Sequence, residues 1–130
     1  MHQIKGNISL GLLLIRLAVG GVFIAHGLQK VLNLDMTVGF FTTLGLPAFL
    51  AYVVTAIELL GGIAVLLGLW TEIAGILIAL VMVGAIYTVK GKAGFFGGYE
   101  LDLTLMLAAL ALAVSGPGRY TVKRLLSKAS

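Results

Sequence analysis

Arg16, His26, Lys30, Glu58 and Glu100 stand within, or at the ends of, long runs of Leu, Ile, Val, Ala and Gly. Two kinds of chemistry follow from their types and spacing. His26, Gln29 and Lys30 close the first apolar run, while Tyr99, Glu100 and Asp102 open the last. An imidazole beside a carboxylate in a semi-polar pocket passes protons near neutral pH, so His26 and Glu100 are the candidate catalytic pair. Lys30, one helical turn from His26, would meet the same carboxylate. For Lys30, Tyr99 and Asp102 individually, ordinary interfacial polarity is the plainer reading: a snorkelling lysine and a belt tyrosine. The second pairing is deeper. Arg16 and Glu58 carry opposite charge, and counting residues from the run ends puts them within about 5 Å of the same depth, so an Arg16–Glu58 ion pair is expected. Such a pair would fix how two helices dock or line a path for a solute.

These groups need elements that bury them. Of 130 residues, 60% are hydrophobic and only 11% charged, with mean hydropathy +1.12, more apolar surface than a soluble chain of this size could hide. Four runs of roughly 17 to 23 residues match an apolar helix crossing a hydrocarbon layer of about 30 Å. The expected fold is all-α: one membrane domain over 1–130, a compact four-helix bundle with spans near 8–28, 47–69, 72–89 and 100–115, and a basic tail at 119–130. On a helix, Arg16, Gly20, Phe23, Gly27 and Lys30 share one face, which must point inward because a charge facing lipid costs on the order of 2.5 to 3.5 kcal/mol.

Between the first two spans, VLNLDMTVGFFTTLGL is too polar and glycine-broken to cross; it predicts a short interfacial helix capped by Asp35 and carrying Phe40 and Phe41. Pro47 suits the first turn of the second span. Trp70 suits an aromatic belt, and Thr71 with Glu72 the start of the third span. KGKAGFFGGY reads as a flexible or re-entrant loop, from within which the short fourth span could begin early, and Gly116-Pro117-Gly118 stops that span. Small residues four apart, at Gly21 and Ala25, Ala64 and Gly68, Gly75 and Ala79, and Ala109 and Ala113, would let helices approach closely. A faint echo links IRLAVGG with IELLGG, each a charge followed by a glycine pair.

Composition also excludes. With no cysteine, the chain has no disulfide, thiol redox centre, haem thioether or iron–sulfur ligation of its own. His2 and His26, the two histidines, fall on opposite sides of the membrane, which rules out two-histidine haem ligation. No metal set is read from the sequence. The glycines at 91, 94, 97 and 98 lack the strand and Lys-Ser/Thr frame of a phosphate cradle, and no Ser or Thr stands in a nucleophilic set. The net charge of +4 comes mostly from Arg119, Lys123, Arg124 and Lys128, a pattern for an anionic leaflet and not for nucleic acid. The first run holds Arg16 and ends without a small-residue cleavage pattern, so it reads as a retained helix. Lys5 and the tail cations, set against Lys30, Lys90 and Lys92, favour an inner-membrane protein with both termini cytoplasmic.

The segments RLAVGGVFIAHGLQK, FFTTLGLP, IELLGGIAVLLGLWTEIAG, GGYELDLTLM and GPGRYTV, in this order, resemble the signatures of the DoxX family of small four-helix membrane proteins. The positions matching the family pattern are Arg16, His26, Gly27, Lys30, Pro47, Glu58, Gly61, Gly62, Gly98, Glu100, Gly116 and Gly118. Some members are, or resemble, the membrane subunit of a thiosulfate:quinone oxidoreductase, and others belong to membrane redox and oxidative-stress assemblies. The resemblance thus implies a subunit of a quinone-linked redox assembly, with a lipid quinone as ligand. Electrons would come from a soluble redox partner, and the other expected association within the lipid bilayer is a homo-oligomer. Arg16, His26, Gln29, Lys30, Glu58, Tyr99 and Glu100 are the candidate ligand-binding residues. A more distant likeness to quinone reductases of the vitamin K epoxide type lacks their paired cysteines here. The competing expectations are a small-solute or proton-coupled permease lined by Arg16 and Glu58, and a purely structural assembly subunit.

Overall fold

The computed structural model describes residues 6–129; His2, Lys5 and Ser130 lie outside them. It is helical, with no strand among the described residues. The helices are α1 (Ile8–Leu32), α2 (Leu34–Thr43), α3 (Ala48–Leu67), α4 (Thr71–Thr88), α5 (Glu100–Ser115) and α6 (Val122–Ala129). Four stretches are long and apolar enough to cross a membrane: Ile8–Leu32, Ala48–Leu67, Thr71–Thr88 and Phe95–Ser115. The fourth begins before Glu100, through a wide helical turn at Phe95–Tyr99 that Gly97, at φ +71°, interrupts.

Local chemistry sets the boundaries. The Asn7 side chain accepts the Leu10 N–H at 3.0 Å and caps α1. That helix runs a turn beyond the expected Leu28, since Lys30 in the last turn complements the negative end of the helix dipole. The connector helix forms as expected, but Asp35 lies in its first turn and Asn33 takes the cap position, its amide turned back to Gln29 O at 2.9 Å. Pro47 is the extended residue before α3 instead of its first turn. Gly68 ends α3 in the left-handed region at φ +77°, where its N–H and that of Leu69 reach back to carbonyls of the last turn. Trp70, 74% exposed, enters α4 at φ 48°. The tail, expected only as a basic segment, contains the helix α6.

Packing closes a ring: α1 lies on α3, α3 on α4, α4 on α5, and α5 returns to α1, while α2 covers the outer part of α3. The core of Val19, Phe23, Val65, Ile78, Leu105, Ala109 and Leu112 runs along the axis. Leu14, Leu60, Leu80 and Val114 point outward, as they must where the solvent is hydrocarbon.

Glycines set how closely the helices approach. A Cβ on Gly20 would lie 2.9 Å from Gly62 O, one on Gly62 2.8 Å from Ile24 N, and one on Gly27 2.7 Å from the Leu59 backbone. The backbones of α1 and α3 therefore touch. Gly75 does the same for α4 against Ala109 and Ala113. Of the expected small-residue contacts, Gly75, Ala109 and Ala113 meet at the α4–α5 seam, whereas Gly21 faces open space and Gly20 takes the place at the crossing.

Candidate functional site

The crossing of α1 and α3 at Gly20 and Gly62 determines which charges can meet. Each glycine stands four residues after its charge, Arg16 and Glu58, which is the physical content of the sequence echo. The two helices run antiparallel, so those four-residue offsets point to opposite ends of the bundle. At 1.5 Å per residue they separate Arg16 from Glu58 by about 12 Å along the axis. The expected Arg16–Glu58 ion pair does not form. The crossing point of the two helices, and not distance from the run ends, sets which charges share a depth.

Each charge has another partner. Arg16 is 1% exposed and spends its donors on main-chain oxygens. Nε donates to Val65 O at 2.9 Å and Nη2 to Leu66 O at 2.8 Å, while Nη1 donates to Tyr120 O at 2.7 Å and Pro117 O at 3.1 Å. Val65 and Leu66 belong to the last turn of α3, at the negative end of the helix dipole, where Val65 O also accepts the Gly68 N–H at 3.2 Å. The guanidinium is thus a cap for α3 and a clamp on the segment that leaves α5. Gly68 makes room for it, because a Cβ there would lie 2.8 Å from Nη2.

Glu58, 4% exposed at its side chain, pairs with Lys30, Nζ to Oε2 at 2.8 Å, the one ion pair among the described residues. The contact follows from packing: Gly27 seats α1 on Leu59, and Lys30, one turn later, then reaches the neighbouring Glu58. Thr55, one turn along α3, is buried with its hydroxyl on Ala51 O at 2.6 Å. Lys30 keeps 26% of its side chain exposed, so the pair is open on the lysine side and closed on the carboxylate side.

The expected outer cluster is only partly assembled. His26 is half-buried, its ring edge-on to Phe23 at 6.1 Å between centroids. Gln29 is exposed. Lys30 is engaged by Glu58 and not by Glu100. The Glu100 carboxylate accepts the Gly97 N–H at 2.9 Å, holding the turn before α5, and Tyr99 packs on Phe95 at 5.5 Å. Asp102, read from the sequence as interfacial, is buried at 9% exposure, and its carboxylate makes no hydrogen bond or ion pair with any described residue. Its signal in the sequence was weak, because a carboxylate in a first helical turn is ordinarily a dipole partner facing water. Thr71 is likewise fully buried with an unpartnered hydroxyl.

Comparison with known proteins agrees with this architecture. The profile of the DoxX family matches residues 11–91. The putative oxidoreductase CatD of Bacillus subtilis strain 168 is 47% identical over 110 residues, covering 85% of this chain and 82% of that protein. The uncharacterized membrane protein Rv3486 of Mycobacterium tuberculosis H37Rv is 38% identical over 130 residues, covering 88% and 80% respectively. The inner membrane protein YqjF of Escherichia coli K12 is 28% identical over 125 residues, covering 92% and 95%. No solved structure matches the chain significantly. With its four apolar helices and a family match over most of its length, the chain belongs to the DoxX family of membrane proteins.

Proposed function

We propose that the protein is the membrane subunit of a quinone-linked redox assembly and binds a lipid quinone head beside the Lys30–Glu58 pair. The carrying observation is that pair: an ammonium, partly exposed, held by a buried carboxylate inside a membrane-spanning bundle. Intramembrane ionisable groups are costly and mark functional sites by default. When bound, a quinone accepts two electrons and two protons. In this reading Lys30 Nζ would donate a hydrogen bond to a quinone carbonyl oxygen, and Glu58, at 2.8 Å, would hold Lys30 for it. His26, one turn before Lys30 on α1, and Asp102 at the start of α5 are further proton carriers toward the same end of the bundle. The chain has no cysteine and so no thiol redox centre of its own, and in this reading electrons come from a soluble redox partner. The name of the related CatD, a putative oxidoreductase, supports the class of chemistry. The alternative, a solute path lined by Arg16 and Glu58, is weakened because the Arg16 donors are spent on main-chain oxygens. In this reading the protein lies in the cell membrane with both termini in the cytoplasm.

Quinone titration of the full chain in nanodiscs tests the proposal. Saturable binding is expected, with loss in Lys30→Met and in Glu58→Gln. Breaking a buried pair on one side destabilises by roughly 3 to 5 kcal/mol, whereas replacing both partners by apolar residues is near neutral. The double variant Lys30→Met/Glu58→Leu should therefore unfold near the wild-type temperature and still fail to bind. Wild-type affinity in that double variant would overturn the assignment.

A further inference from the structure

The segment after α5 is built as a fixed cationic cleft. Helix α6 places Val122, Leu125 and Leu126 on one stripe by their spacing of three and four, with Lys123, Arg124, Ser127 and Lys128 on the other. Leu125 and Leu126 are 68% and 66% exposed. An eight-residue helix with bare leucines beside a membrane-spanning bundle has the form of an interfacial helix whose apolar stripe enters the lipid. Between α6 and the preceding turn is a cleft of about 250 Å³ lined by Arg119, Tyr120, Arg124, Leu125 and Lys128. Arg124 and Lys128 are one turn apart on the helix and Arg119 comes from the turn, so three cations converge without an ion pair to any described carboxylate.

The cleft is not a loose tail. Arg16 Nη1 holds Pro117 O and Tyr120 O, the main chain on either side of Arg119. The Arg119 N–H donates to Ser9 Oγ at 3.2 Å, and Gly118 lies against Ser9 and Leu12 of α1, with 3.3 Å left for a Cβ. The buried arginine thus fixes the exit of the chain from the bundle, at the level where the hydrocarbon layer must end. Charge, depth and an apolar stripe coincide there.

We infer that the Arg119, Arg124 and Lys128 cleft is a binding site for the phosphate of an anionic phospholipid, with Leu125 and Leu126 set into its acyl region. Guanidinium forks match phosphate oxygens in pairs, and Lys128 adds a point charge. The occupant is a lipid and not a soluble anion because the same helix presents its leucines to the bilayer.

Native mass spectrometry of the full chain, released from nanodiscs of mixed phosphatidylglycerol and phosphatidylcholine, provides the test. The wild type should retain phosphatidylglycerol in preference to phosphatidylcholine. The variant Arg119→Gln/Arg124→Gln/Lys128→Gln should lose that preference, by about fivefold for each cation removed. Lys123→Gln, on the same helix but outside the cleft, should keep it. The side chains altered are exposed, and the single variants Arg124→Gln and Lys128→Gln, read beside the thermal unfolding of each protein, separate lost binding from lost fold. Equal retention of the two lipids, or an equal loss in Lys123→Gln, would overturn the site. So would displacement of the lipid by millimolar inorganic phosphate, which would mark a free-anion site, or lipid retention unchanged in the triple variant, which would leave the cations to an acidic protein partner.

Discussion

Arg16 shows how a charge becomes tolerable in a membrane bundle without a counter-charge. Its Nε, Nη1 and Nη2 atoms reach four carbonyl oxygens, two of them at the negative end of α3. The side chain therefore replaces hydrogen bonds that water would have supplied. Arg16→Met should lower stability by roughly 2 to 4 kcal/mol, because buried carbonyls lose charged donors. Arg16→Lys should recover less than half of that loss, since an ammonium cannot reproduce the planar fork. Reversible unfolding in mixed micelles measures both. Full stability in Arg16→Met would show that the clamp is dispensable. That Arg16 must face inward was legible from its spacing with Gly20, Phe23 and Gly27, all buried with it. Its partners were not, because carbonyls at a helix end have no residue-type signature. For Glu58 the sequence supplied burial and sign, and the wrong cation.

At the scale of elements, α1 and α3 form the seam on which the candidate site depends. Gly27 carries the sharpest consequence: a Cβ there meets the Leu59 Cα, Cβ and N, each at 2.7 Å. Backbone cannot yield as a flexible side chain can. Gly27→Ala should push the helices apart, cost about 1 to 3 kcal/mol by overpacking, and lengthen the Lys30–Glu58 contact. Gly84→Ala is the control, since nothing lies within 4 Å of a Cβ there and alanine is the better helix former. Thermal unfolding of the two variants in nanodiscs, with spin-label distances between α1 and α3, distinguishes them; equal behaviour would remove the close approach as a determinant. The four spans were legible, and helix α5 has the expected bounds of Glu100–Ser115, because long apolar runs closed by Gly and Pro leave little freedom. Helix α6 was missed: its apolar stripe is only Val122, Leu125 and Leu126 among basic residues, which composition reads as a charged tail.

For the whole molecule, the even number of spans puts both ends of the described chain on one side. In the proposed topology that side is the cytoplasm, because the tail cations Arg119, Lys123, Arg124 and Lys128 outnumber Lys30, Lys90 and Lys92 on the opposite side. The chain has no cysteine, so single labels report sidedness cleanly. Lys123→Cys should react with an impermeant maleimide only after the membrane is opened, and Ala93→Cys in intact cells; the reverse pattern would invert the topology and move the anionic-lipid cleft to the other leaflet. The sequence by itself determined the membrane class, the four spans, the inward face of α1 and the family resemblance. Each follows from hydrophobic length, helical period or residue order, which are properties along one chain. Only the tertiary structure decided the pairings: Lys30 with Glu58, Arg16 with the ends of α3 and α5, and Asp102 buried without a partner. Those depend on where two antiparallel helices cross. The crossing is set by backbone contact at Gly20, Gly27 and Gly62, and spacing within one helix does not encode it.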